Sequence, residues 1–317
     1  FMAMSKFIHE REDFKTLIEV VGGEHKIDPR LIEKDYWIMH ALWGLNSLGF
    51  DYELKGGTSL SKGWKCIDRF SEDIDIYIHP PADLNLPIGK NHTKPAHIQA
   101  RKDYFDSLIG QLKISGFTSV ERDHSFDDEK LRSAGIRIHY PNLFGKIPDL
   151  KDGILLEVGF DQTTPNEMIT LSSWVIDKAI SVKLDVTYNQ AVDVKCYVPE
   201  YTFVEKLQAV STKFRKQQES GQMPTNFMRH YYDIFQLLKL KRVQDFIGSK
   251  DYFEHKDLRF PNADEKDLTK NEAFIISNTE TQKIYQQSFE KTKELYYKGQ
   301  PNFSDIISAF KEFLPKM

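Results

Sequence analysis

The chain has 317 residues, enough to bury a sizeable core and to form two domains. Its 40% hydrophobic and 28% charged residues exclude a disordered polyelectrolyte, and a net charge of −4 excludes a protein that coats nucleic acid over its whole surface. No apolar run approaches the roughly 18–20 residues of a membrane span, and the two distant cysteines, Cys66 and Cys196, supply neither a disulfide framework nor a Cys-rich zinc site, which fits a reducing cytoplasm.

Over residues 13–48 apolar positions recur every three or four residues, most clearly in LIEKDYWIMHALWGL, and predict helix. Asp28-Pro29 supplies an N-cap followed by a first-turn proline. Trp37, Trp43 and Trp64 read as core anchors of this lead-in. Residues 52–54 predict a short strand running into Gly56-Gly57, after which 58–66 opens a helix. DIDIYI (73–78) and GIRIHY (135–140) alternate strictly, and ILLEVGF (154–160) predicts a further strand. Residues 80–95 read as loop and 96–112 as helix. Beyond Pro199 the pattern stays helical, with QQESGQMPTN (217–226) as a flexible link. The expected organisation is α+β: a helical lead-in (1–48), a mixed α/β core (49–198) and a helical C-terminal domain (199–317). From 206 to 242 eight Lys/Arg face two acids, Glu219 and Asp233, which makes either a solvated helical face or a local surface for polyanions.

The chemistry starts at Asp73 and Asp75. Two apart on a strand, their carboxylates project from one face while Ile74, Ile76 and Ile78 enter the core. Carboxylates held so close repel unless a cation intervenes, and a hard divalent ion such as Mg²⁺ takes oxygen ligands. Two such ions can clamp the attacking and leaving oxygens of a phosphoryl or nucleotidyl transfer. Upstream, Lys55-Gly56-Gly57-Thr58-Ser59 places two glycines at a strand-to-helix turn, where backbone N–H groups can receive a phosphate. Ser59 can add a hydroxyl and Lys62 a charge. In ILLEVGFD, Glu157 and Asp161 lie on the face opposite Ile154, Leu156 and Val158. If this strand neighbours 73–78, Glu157 points the same way as Asp73 and Asp75. Glu157 is therefore the expected third carboxylate, with Asp161 as the alternative.

LKGGTSLSKGW followed by RFSEDIDIYI resembles the AbiEii/AbiGii family of nucleotidyltransferase-like toxins of abortive-infection and toxin–antitoxin systems. IEKDYWIMHAL upstream, and FVEKLQAVS and RHYYDIFQLL downstream, resemble further motifs of that family in the expected order. The resemblance implies a polymerase-β-like core, a mixed sheet flanked by helices, with a helical C-terminal half. It implies a nucleoside triphosphate substrate, Mg²⁺ or Mn²⁺, transfer to an acceptor hydroxyl of RNA or tRNA, and a cognate antitoxin protein as partner. Carried over by position, Gly56, Gly57, Thr58 and Ser59 would hold the triphosphate and Asp73 and Asp75 the metals. Lys206 would contact phosphates, while Asp233 would act as acid or base or orient that lysine. From the residues alone, Lys206 or Arg229 is the expected partner of a buried Asp233.

Overall fold

The computed structural model describes residues 6–147, 150–161 and 163–317. The chain forms two compact units: the first runs to Gly63 and resumes over Ser71–Tyr197, and the second takes Trp64–Phe70 and Val198–Met317.

The first unit is built on one seven-stranded mixed sheet. Its strands are β1 (Tyr52–Lys55), β2 (Asp73–Ile78), β3 (Ser119–Asp123), β4 (Ser133–His139), β5 (Ile154–Gly159), β6 (Asn166–Leu171) and β7 (Ala191–Tyr197), in the order β3-β4-β5-β2-β1-β7-β6. The β2–β5 and β1–β7 pairs are parallel, and the other four are antiparallel. Alternation sets the strands: Ile74, Ile76 and Ile78 of β2 are buried, as are Ala134, Ile136 and Ile138 of β4. Three strands carry no such signal. β3, SVERD, is a polar edge strand paired only with β4. The β6–β7 pairing shifts register between Ile169 and Leu171, and Asp193 of β7 sits at φ +54°, so the period of two breaks.

Five helices accompany the sheet: α1 (Phe14–His25), α2 (Pro29–Ser47), the short turn α3 (Gly56–Thr58), α4 (Pro95–Gln111) and α5 (Trp174–Ser181). Asp28 caps α2 by accepting from Arg30 N at 2.9 Å, with Pro29 behind it. Every residue from Leu31 to Leu42 of α2 is buried, the polar ones Glu33, Lys34, Asp35 and His40 included, so this helix is more than a lead-in. The wider winding at Ser59–Gly63 ends the helix expected over 58–66 before Trp64.

The second unit is helical, with α6 (Pro199–Ser220), α7 (Phe227–Leu237), α8 (Lys241–Phe246), α9 (Lys250–Arg259), α10 (Glu272–Ile275), α11 (Thr279–Glu290) and α12 (Phe303–Phe313). Rings of Phe227, Tyr231, Tyr285, Phe289, Phe303 and Phe310 form its core. α6 runs through Ser220 into the stretch expected to be linker, and Gly221 at φ +70° ends it. Trp64 does not anchor the lead-in: it belongs to this second unit, where the Arg242 guanidinium lies 4.5 Å from its ring centroid.

In the first unit the neutral ring of His40 is fully bonded, with Nε2 2.7 Å from Ser115 O and Nδ1 2.8 Å from the Asn189 amide nitrogen. Burial lowers its pKa to about 4, so between pH about 6.5 and 4 the unfolded chain binds the extra proton. This contribution to stability is full above pH 6.5 and is lost as pH falls toward 4. Urea unfolding of wild type and His40→Gln at pH 7 and pH 5 should show a smaller acid-induced drop in the variant; parallel drops would contradict this assignment.

Candidate active site

Parallel pairing of β2 with β5 sets Asp75 opposite Glu157, and antiparallel pairing with β1 sets Lys55 opposite Asp75. Lys55, Asp75 and Glu157 therefore form one row across three strands, with Asp73 two residues along on the same face. The nomination of Glu157 by strand parity thus meets a real neighbour. Asp161 lies past the end of β5, its side chain 39% exposed and 3.9 Å from Lys55 Nζ.

The glycine turn is tied to both aspartates. Gly56 sits at φ +73°, and a Cβ built there would collide with Asp75 Oδ2, so the position needs glycine for its conformation and for its close approach. Thr58 Oγ1 donates to the Asp73 backbone carbonyl at 2.5 Å. Gly57, Thr58 and Ser59 are buried. Lys62 is held by Asp35, Nζ to Oδ1 2.8 Å, and lies 4.1 Å from the Trp174 ring centroid. Its ammonium is thus engaged in the interior of the unit.

Burial raises Asp73 to about 6, opposed by the Lys151 ammonium 2.7 Å from its Oδ2. Burial, then Asp75 and Asp73, push the Glu157 carboxyl far above the usual carboxylate range. Asp73 Oδ1 is buried without a hydrogen-bond partner. Among the described residues no group of three or more His, Cys, Asp or Glu side chains stands ready-arranged around a metal position. The chemistry of the set nevertheless fits a hard divalent cation: oxygen donors, two carboxyl pKa values raised by burial first and by neighbouring carboxylates second, and one carboxylate oxygen with no partner. A cleft of about 310 Å³ opens beside Asp75 and Glu157, lined also by Lys55, Asp128, Arg132 and Asp161.

In the second unit Lys206 Nζ lies 3.0 Å from Asp233 Oδ2, so these two residues meet across α6 and α7. Asp233 is completely buried and takes a bidentate pair from Arg69, at 2.6 Å to Oδ1 and 2.7 Å to Oδ2. Burial alone would raise its pKa, but Arg69 and Lys206 hold it well below the usual carboxylate range. Asp233 therefore stands as an ionised acceptor. Of the two partners expected from the sequence, Lys206 and Arg229, Lys206 pairs with Asp233; Arg69, which sits in the short Trp64–Phe70 segment that joins the helical unit, was not expected. No local signal marks that segment as leaving the α/β core. The basic stretch around these residues is largely spent internally: Lys206 and Arg229 are buried, and Arg215 binds Asp264 at 2.7 Å.

A family model described as nucleotidyl transferase AbiEii toxin, type IV TA system, matches residues 43–314. That span includes the glycine turn, all three carboxylates, Lys206 and Asp233, and the C-terminal residues in which no motif is legible. No curated protein matches the chain. A solved structure, an antigenic nucleotidyltransferase-like protein from Paracoccidioides brasiliensis, is similar over 73% of this chain and 95% of that one, at 15% identity and a TM-score of 0.35. A similarity that low has no bearing on the site.

Two consequences can be measured. Gly56→Ala should cost about 1–2 kcal/mol for its left-handed backbone alone, and more for the collision with Asp75, read as a lowered unfolding midpoint. Arg69→Met leaves a buried carboxylate with one partner and should cost roughly 3–5 kcal/mol in urea unfolding. A loss under 1 kcal/mol would show that the pair is dispensable.

Proposed function

Because this chain belongs to the AbiEii family of nucleotidyl transferase toxins of type IV toxin–antitoxin systems, we propose that it moves a nucleoside monophosphate from a nucleoside triphosphate to an acceptor hydroxyl of RNA, tRNA foremost, in a Mg²⁺- or Mn²⁺-dependent reaction. The observation that carries this reading is the row of Asp75 and Glu157 beside Asp73, with a glycine turn packed against Asp75. A divalent cation bound there would neutralise the carboxylates and polarise the oxygens of the phosphate under attack.

The chain's own residues supply binding and orientation. The Gly56-Gly57 turn is the candidate phosphate-binding element, and the absence of a Cβ at Gly56 lets it pack directly against Asp75, the candidate metal ligand. Thr58 fixes that turn to the β2 backbone and so to the carboxylates. In the second unit Lys206 is the candidate phosphate ligand, oriented by an ionised Asp233 that Arg69 holds in place. An ionised carboxylate between two cations suits that orienting role better than proton transfer. A cognate antitoxin protein is the expected partner, as the toxin–antitoxin family suggests. No helix among the described residues is long and apolar enough to cross a membrane, and with both cysteines free the cytoplasm is the proposed site of action.

The test is incubation of the protein with each labelled nucleoside triphosphate, Mg²⁺ and total RNA, alongside Asp73→Asn and Glu157→Gln. Label should enter RNA with wild type and fall at least ~100-fold with Asp73→Asn, the scale of losing an electrostatic anchor of the transition state. Undiminished transfer by Asp73→Asn would refute the site. Tight nucleotide binding without transfer would instead indicate a binding module, and label on protein would move the acceptor from RNA to a protein hydroxyl.

A further inference from the structure

Lys151 lies outside every motif that marks this family in the sequence, yet its ammonium reaches the centre of the acidic site, 2.7 Å from Asp73 Oδ2. Its backbone is held as well. The Lys151 N–H donates to Glu72 Oε2 at 2.8 Å, and its carbonyl accepts from Lys34 Nζ at 2.6 Å. Lys34 and Glu72 are themselves a buried pair, 3.3 Å apart and 3% and 4% exposed. Glu72 directly precedes Asp73, so one buried ion pair fixes the start of β2 and the backbone that presents Lys151 to it. The Nζ also lies 4.6 Å from the Phe126 ring centroid, which gives the ammonium an aromatic rest.

Burying two charges to hold one partly exposed residue is costly unless their hydrogen bonds are met, and here each bonds the backbone of the same residue, Lys151. The result is an ammonium where three carboxylates need a cation. It covers only Oδ2 of Asp73 and leaves Oδ1 without a partner. Lysine carries its charge on a flexible four-carbon stem, and this side chain keeps 21% exposure, so the head can withdraw toward water more readily than an arginine fork.

We propose that Lys151 is a positioning residue, the resident counter-cation of Asp73, which keeps the carboxylate in place and is displaced when a divalent metal ion enters. Metal affinity is then set by competition with this ammonium. The inference rests on the reading of Asp73, Asp75 and Glu157 as metal ligands.

The test is Mn²⁺ binding to the nucleotide-free full chain, followed by the electron paramagnetic resonance signal of free Mn²⁺. Lys151→Met should bind about fivefold more tightly than wild type, the scale of releasing one partly buried ion pair, while Lys151→Arg should bind no more tightly than wild type. Asp73→Asn should lose the site. A residue of merely structural value would give weaker binding when removed, never tighter. If far-UV circular dichroism shows Lys151→Met misfolded, Lys151→Gln takes its place with the same expectation. Unchanged or weaker binding by the neutral variant, with binding still lost in Asp73→Asn, overturns this proposal alone. Wild-type binding by Asp73→Asn overturns the metal reading and the proposal with it.

Discussion

The first unit depends on three consecutive charges buried in the middle of α2. Glu33, Lys34 and Asp35 would each be costly inside a protein, and each is answered by groups distant in sequence. Glu33 accepts from Leu143 N at 2.8 Å. Lys34 takes Glu72 and the Lys151 carbonyl. Asp35 takes the Lys62 ammonium and the Trp174 N–H at 3.0 Å. One helical turn thereby fastens the loop after β4, the entry to β2, the winding after the glycine turn and the start of α5. Of these, the entry to β2 adjoins Asp73 directly, so α2 braces the site from behind through Lys34 without contributing a carboxylate to it.

The same frame explains why the site can hold repelling carboxylates. Asp73 and Glu157 both carry raised pKa values because burial and their neighbours penalise the charged forms. Such a cluster would relax if its strands could move. Hydrogen bonding within the β5-β2-β1 centre of the sheet, the Thr58 tie and the fit of Gly56 against Asp75 prevent this. Unfavourable electrostatics stored this way is expected where a cation is to be bound. The second unit follows the opposite rule: Asp233 is fully compensated by two cations, and its role is to hold those cations in position.

Much of this was legible in the sequence. Strict alternation located β2 and the core of β4, because a period of two with β-branched residues has few other readings, and the apolar run ILLEVGF located β5. Parity then named Glu157 before any pairing was known, and the register bears out its adjacency to Asp75. The turn chemistry at Gly56 was equally plain, since a strand, two glycines and a helix start allow little else. Edge and bulged strands were not legible. β3 is polar because water covers it, and β6 and β7 lose their period where the register shifts.

The sequence by itself singled out the candidate residues: the aspartate pair, the glycine turn and Glu157 are local patterns whose meaning lies in spacing, and Lys206 and Asp233 come from the family resemblance. Only the tertiary structure decided which charges answer which. Lys62 went to Asp35, Lys151 to Asp73 and Arg69 to Asp233, pairings that span 27, 78 and 164 residues. The physical reason is that a charge in the interior must find a partner in space, and nothing in its neighbours along the chain records where that partner will be. The same holds for α2, whose amphipathic pattern reads as a lead-in until its charged residues are found at the centre of the unit.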